Sequence, residues 1–200
     1  DLGFYGDAEA DPSYGRQTVP GRGHAPWVMR MNLDERHRVL TFALAPGIWA
    51  AYQTESASLY QLWRVDILFE GSVYDYRHGP QPSSTGEWFL RHEHPPRWEL
   101  HVGDRVIPAS VRYLGHSYDS SRARASFEFT LRADDLDIRL SETPDLLQED
   151  GETLFQRRIV VDSDIDQLRV VQVFNSGESW VLRPGENLLT STLANSTRIA

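Results

Sequence analysis

The first chemistry this sequence offers is a set of aromatic rings with polar handles, spaced so that several could share one face. Between Ile48 and Gln81 the chain carries two tryptophans and four tyrosines, with arginine and histidine set among them. A ring face stacks on the apolar side of a sugar or another flat ligand, and a nearby guanidinium or amide takes its polar groups. Trp49, Tyr52, Tyr60, Trp63, Tyr74 and Tyr76 are expected to line a groove, with Arg64, Arg77, His78 and Gln81 beside it. The competing reading is burial: tryptophan and tyrosine suit strands, and most such rings end in a core.

Other reactive groups are sparser. His92-Glu93-His94, with His78 and His101 nearby in sequence, alternates as two ligands of a zinc or copper ion would. Two prolines follow His94 and no third ligand is spaced to complete a known motif, so a surface pair is expected and no metal is assigned. Asp162, Asp164 and Asp166 resemble the start of a calcium loop. Gln167 and Val173 stand where an EF-hand has glycine and glutamate, which leaves only an irregular calcium site open. Glu55, Asp66, Asp75, Glu87, Glu128 and Glu142 could supply a glycosidase pair if two of them faced each other at ~5 to 9.5 Å. No nucleophile elbow, Walker loop or dinucleotide fingerprint is present, and catalytic residues are expected to be none.

These residues sit on a chain patterned for strands. Met29, Met31 and Leu33 alternate with Val28, Arg30 and Asn32, predicting one dry and one wet face. Ala125, Phe127, Phe129 and Leu131 alternate in the same way with Ser126, Glu128 and Thr130. Ala45-Pro46-Gly47 and Gly103-Asp104 predict hairpins, and only Asp145 to Gln156 has a helical look. Residues 1–24, rich in Gly, Pro, Asp and Tyr without period, read as an N-terminal arm or linker, and residues 25–200 as a single domain. The fold class is all-β: an antiparallel, supersandwich-like β-sandwich of about a dozen short strands, with no room for the helical crossovers of a parallel sheet.

Composition narrows the partners. A net charge of -9 disfavours nucleic acid and anionic membrane surfaces. No run approaches the ~18 apolar residues of a membrane-spanning helix. Cysteine is absent, so no disulfide and no covalent haem attachment through C-x-x-C-H is encoded here. All 20 cationic side chains are arginine, which base composition explains as readily as function. The acidic start Asp1-Leu2-Gly3 lacks the basic region of a signal peptide, so the chain reads as a mature or trimmed one.

Pro26-Trp27-Val28-Met29-Arg30, Leu33-Asp34, Trp49-Ala50-Ala51-Tyr52, Phe69-Glu70-Gly71 and His78-Gly79-Pro80-Gln81-Pro82 add up to a pattern. Together with Ile138 to Pro144, they resemble a domain of secreted bacterial multidomain proteins that also carry c-type cytochrome modules. The resemblance implies a periplasmic or extracellular setting and redox neighbours. That domain has no settled activity, so no catalytic residue is carried over. The expected function is a non-catalytic module that binds a polysaccharide or docks a c-type cytochrome through its aromatic and arginine surface. The alternatives are a sugar-active domain using paired carboxylates with His78, and a purely structural or assembly domain.

Overall fold

Among the described residues, the stretches in which polar and apolar residues alternate, such as 125–131, form strands. The computed structural model describes residues 10–11, 15–16, 27–69, 80–119 and 121–193. The arm's other residues lie outside them, among them Phe4, Tyr5 and Tyr14, whose rings suit packing on the body. So does Ser72 to His78, where Val73, Asp75 and Arg77 alternate with Tyr74, Tyr76 and His78 as in a strand. Among the described residues there is no helix. β1 (Ala10–Asp11) and β2 (Gly15–Arg16) form a short pair.

Five strands then run as an antiparallel meander: β3 (Trp27–Leu33), β4 (Arg36–Ala45), β5 (Ile48–Gln53), β6 (Ser58–Leu68) and β7 (Ser83–Arg91). The second sheet contains β8 (Arg97–Val102), β9 (Arg105–Asp119), β10 (Arg124–Ala133), β11 (Leu136–Glu149), β12 (Glu152–Asp162), β13 (Leu168–Val173), β14 (Ser179–Leu182) and β15 (Gly185–Thr192). Its spatial order is β14-β13-β8-β9-β10-β11-β12-β15, every pair antiparallel. The all-β class and the two-sheet arrangement expected from the alternation are what the chain adopts, and the larger sheet curls until it is nearly a closed barrel.

The two sheets share a core in which Leu40, Phe42, Tyr52 and Leu62 meet Trp98, Phe127, Phe129, Leu140, Ile159 and Val170. Tyr52 and Phe127 lie 4.9 Å apart between ring centroids, which marks the centre of the contact. The opposite face of the five-stranded sheet carries a second buried cluster of Met31, Leu33, Val39, Ala43, Trp49, Ala51, Tyr60, Trp63, Ile67 and Phe69. Both faces of β4, β5 and β6 are therefore buried, and their sequences run apolar instead of alternating. This also corrects the expected wet face of β3: Arg30 is exposed, but Val28 packs on the shared core and Asn32 is buried.

The helical look of Asp145 to Gln156 is overturned as well, because β11 and β12 span it. Asp150 and Gly151 join these strands with φ of 50° and 83° between the paired Glu149 and Glu152. Positive φ at both central residues is the two-residue turn whose twist suits a hairpin, and Asp-Gly is its usual sequence. The expected hairpins at residues 45–47 and 103–104 are present as β4–β5 and β8–β9.

Candidate functional site

Central strands of a sheet buried on both faces leave no room for an aromatic platform, and this decides the fate of the predicted groove. Trp49, Tyr52 and Trp63 have no exposed surface and Tyr60 almost none. The groove expected from them does not form there. Instead, the Trp49 and Trp63 rings stack at 5.9 Å and 11° and brace a bend in β6. The Trp49 indole N–H donates to the Val65 carbonyl at 3.4 Å and that of Trp63 to the Asp66 carbonyl at 3.0 Å.

Val65 has a φ of 110°, costly for a β-branched residue, and Gly86 crosses directly against it. A Cβ at Gly86 would lie 2.3 Å from the Arg64 carbonyl oxygen and 2.4 Å from the Val65 side chain. Arg64 is exposed and pairs with Glu87. Gln81 is half-buried and accepts from Asn32 at 2.5 Å. Tyr74, Tyr76, Arg77 and His78 lie outside the described residues.

A different set of aromatics does meet open space. Consecutive strands β14 and β15 leave one turn in opposite company, β14 pairing with β13 and β15 with β12. Asn187 latches that turn: it accepts from the Arg183 N–H at 3.0 Å and donates to the Arg183 and Gly185 carbonyls at 2.9 and 3.2 Å. Away from the latch the two edge strands flank a cleft of about 520 Å³, within the usual size range of small-ligand sites. Phe174 and Trp180 form one wall and Leu189 to Leu193 another, while Phe89 to His94 close the top.

Backbone bonds hold these walls. Phe174 N–H donates to the Glu178 carbonyl at 2.9 Å, and Gly177, at φ 88°, donates back to the Phe174 carbonyl at 3.0 Å. His92 N–H donates to the Tyr60 carbonyl at 2.8 Å, and Arg36 holds the Glu93 carbonyl at 2.9 Å. The His92 ring lies 5.3 Å from Phe174, whose edge meets Trp180 at 4.9 Å.

At the floor lies an ion pair. Arg157 donates through Nε and Nη2 to the two Glu142 oxygens, at 2.5 and 2.9 Å, with side chains 3% and 0% exposed. The guanidinium also sits over Trp180, 4.8 Å from the ring centroid. Burial works to lower the Arg157 pKa, but the charge and hydrogen bonds of Glu142 outweigh it and hold the group above its ordinary value. Burial, then the Glu142 charge, pushes the Tyr52 phenol well up. His92 is held below its ordinary value by burial first and the Arg157 charge second, with Glu178 opposing. At neutral pH the cleft thus combines a permanent cation, its carboxylate and a neutral imidazole.

The sequence contained a signal for this floor. In β12, Phe155, Ile159 and Val161 point into the core, and Arg157 shares their parity. In β11, Glu142 shares the parity of Ile138 and Leu140. Opposite charges on the buried parity of adjacent strands mark a pair facing inward.

Among the described residues, no three of His, Cys, Asp or Glu gather as a metal site would need. His101 instead bonds Glu99 at 3.0 Å, and His94 is exposed beside the cleft. Fold and cleft define an antiparallel two-sheet β domain with a ligand-sized opening at the seam of its larger sheet. Compared with protein-family models, curated proteins and solved structures, the chain matches none.

Proposed function

We propose that this chain is a non-catalytic recognition module that binds a carbohydrate in the cleft between β14 and β15. The observation that carries this reading is an apolar, aromatic-walled cleft with a buried arginine at its floor and a hydroxyl- and amide-rich rim. Trp180 and Phe174 offer ring surface to the apolar side of a sugar. Asn175, Ser176, Thr190 and Thr192 ring the mouth and suit its hydroxyls. The paired-carboxylate alternative gains no support from Glu142, because both of its oxygens are taken up by the Arg157 guanidinium. The resemblance to a domain of secreted, cytochrome-bearing proteins supports a periplasmic or extracellular setting with redox neighbours.

The test is calorimetry of the folded domain against a panel of soluble oligosaccharides. Binding is expected for the wild type. Trp180→Ala is expected to weaken it roughly tenfold or more, since a stacking anchor contributes about 1.5 kcal/mol. Unchanged affinity in that variant would remove the cleft as the site. No binding to any sugar would sink the carbohydrate reading.

A further inference from the structure

We infer that Arg157 is the specificity-determining residue of this cleft, and that it selects the hydroxyl of a neutral sugar over an acidic one. The inference rests on the carbohydrate reading above and adds which sugars are taken and by what group.

An ion pair placed in a core only for stability is a poor choice, since well-packed apolar residues of similar volume commonly do as well or better. Arg157 and Glu142 lie among Phe155, Ile159, Leu140 and Phe127, where apolar replacements would be at home. Their position is informative because Arg157 also lines the cleft. Glu142 occupies Nε and Nη2. A guanidinium carries five N–H groups; Glu142 takes two and the Tyr52 hydroxyl beside it can take a third, so donors remain for an occupant of the cleft that Arg157 lines.

Charge and hydrogen-bond polarity then choose the occupant. Glu142 already neutralises Arg157, Glu93 and Glu178 stand at the rim, and the whole chain carries -9. An anionic sugar would meet no uncompensated cation at the floor and two acids on the way in. His92, which lines the same cleft, is neutral at pH 7 because burial and then Arg157 lower its pKa. A neutral imidazole has one nitrogen that accepts. A hydroxyl can accept from Arg157 and donate to such a nitrogen, whereas a carboxylate or sulfate has no proton to donate.

The test uses the intact domain with neutral gluco-, xylo- and manno-oligosaccharides beside oligogalacturonate and a sulfated oligosaccharide, read by calorimetry, with melting temperature read in parallel. Wild type is expected to bind a neutral oligosaccharide and to bind the acidic ones at least tenfold more weakly. The double variant Arg157→Met with Glu142→Leu replaces the pair by apolar volume. It is expected to keep its melting temperature and lose at least tenfold in affinity. Arg157→Lys keeps the charge beside Glu142 but not the planar fork, and is expected to lose a similar factor should the double variant fold poorly.

Wild-type affinity in a folded double variant, with Trp180→Ala still impaired, overturns this inference and leaves the carbohydrate reading standing. The same holds if the wild type prefers the acidic sugars. A wild type that binds none of the panel overturns both.

Discussion

Two groups of aromatic residues in this molecule have the same chemistry and opposite uses. Trp49 and Trp63 stand in β5 and β6, with neighbours on both sides in the sheet and apolar clusters on both its faces. Trp180 stands in β14, an edge strand, and Phe174 in the turn before it, so each keeps part of its ring surface open to the cleft. Strand position, not residue type, separates a brace from a binding wall. Substitutions that trade stability against affinity can break or sharpen this contrast.

The largest effect is expected at the floor of the cleft. Glu142→Leu alone strands a buried cation and should destabilise the domain by about 3–5 kcal/mol, whereas the double replacement of the pair should be close to neutral. Urea unfolding of both variants checks this, and equal losses would mean the pair is an ordinary stabilising contact. Trp63→Ala is expected to cost a similar amount, about 3–5 kcal/mol, through the cavity it leaves. Where that variant stays folded its ligand affinity should be unchanged, the reverse of Trp180→Ala. A loss of affinity without loss of stability in Trp63→Ala would erase the distinction between the two groups.

Gly86→Ala should follow at about 2 kcal/mol, because φ there is 94° and the added methyl meets the bend at Val65. Gly151→Ala, at φ 83° but with open space around it, should cost about half as much. Thermal melts of the pair separate steric clash from backbone strain.

The smallest effect is pH-dependent. His92 faces Phe174, Arg157 and Glu178, and its folded pKa lies below the ordinary 6.5. The unfolded chain therefore takes up this proton more readily. The contribution of His92 to stability is full above about pH 6.5 and is lost as pH falls through the lower folded value. Sugar affinity should decline over the same window as the imidazole stops accepting. His92→Asn is expected to flatten the slope of stability between pH 7.5 and 5.5, read from denaturation midpoints.

Much of the fold was legible and little of the cleft was. The alternation of Phe127, Phe129 and Leu131 marked β10, and Ala45-Pro46-Gly47 marked a hairpin, because both signals are local. β7 and β15 escaped notice: Ser83 to Arg91 and Gly185 to Thr192 lie at sheet edges, half in water, with weak periodicity. These are two of the strands that build the cleft. The aromatic run was conspicuous because it is apolar on both faces, and that same property buries it. What placed Trp180 opposite Leu189 was the pairing of β13 with β8 and of β15 with β12, contacts far apart in sequence that no local pattern encodes.

The seam has one further consequence. Among the described residues β14 and β15 each hydrogen-bond to a neighbour on one side only, so alternate peptide groups along their other edges are turned toward the gap between them. A guest in the cleft can therefore be read by main chain as well as by side chains, as an added strand reads a sheet edge. Such recognition survives most substitutions of side chains, and the amide protons of Thr190 and Thr192 would report it directly, through slower exchange with solvent when the cleft is filled.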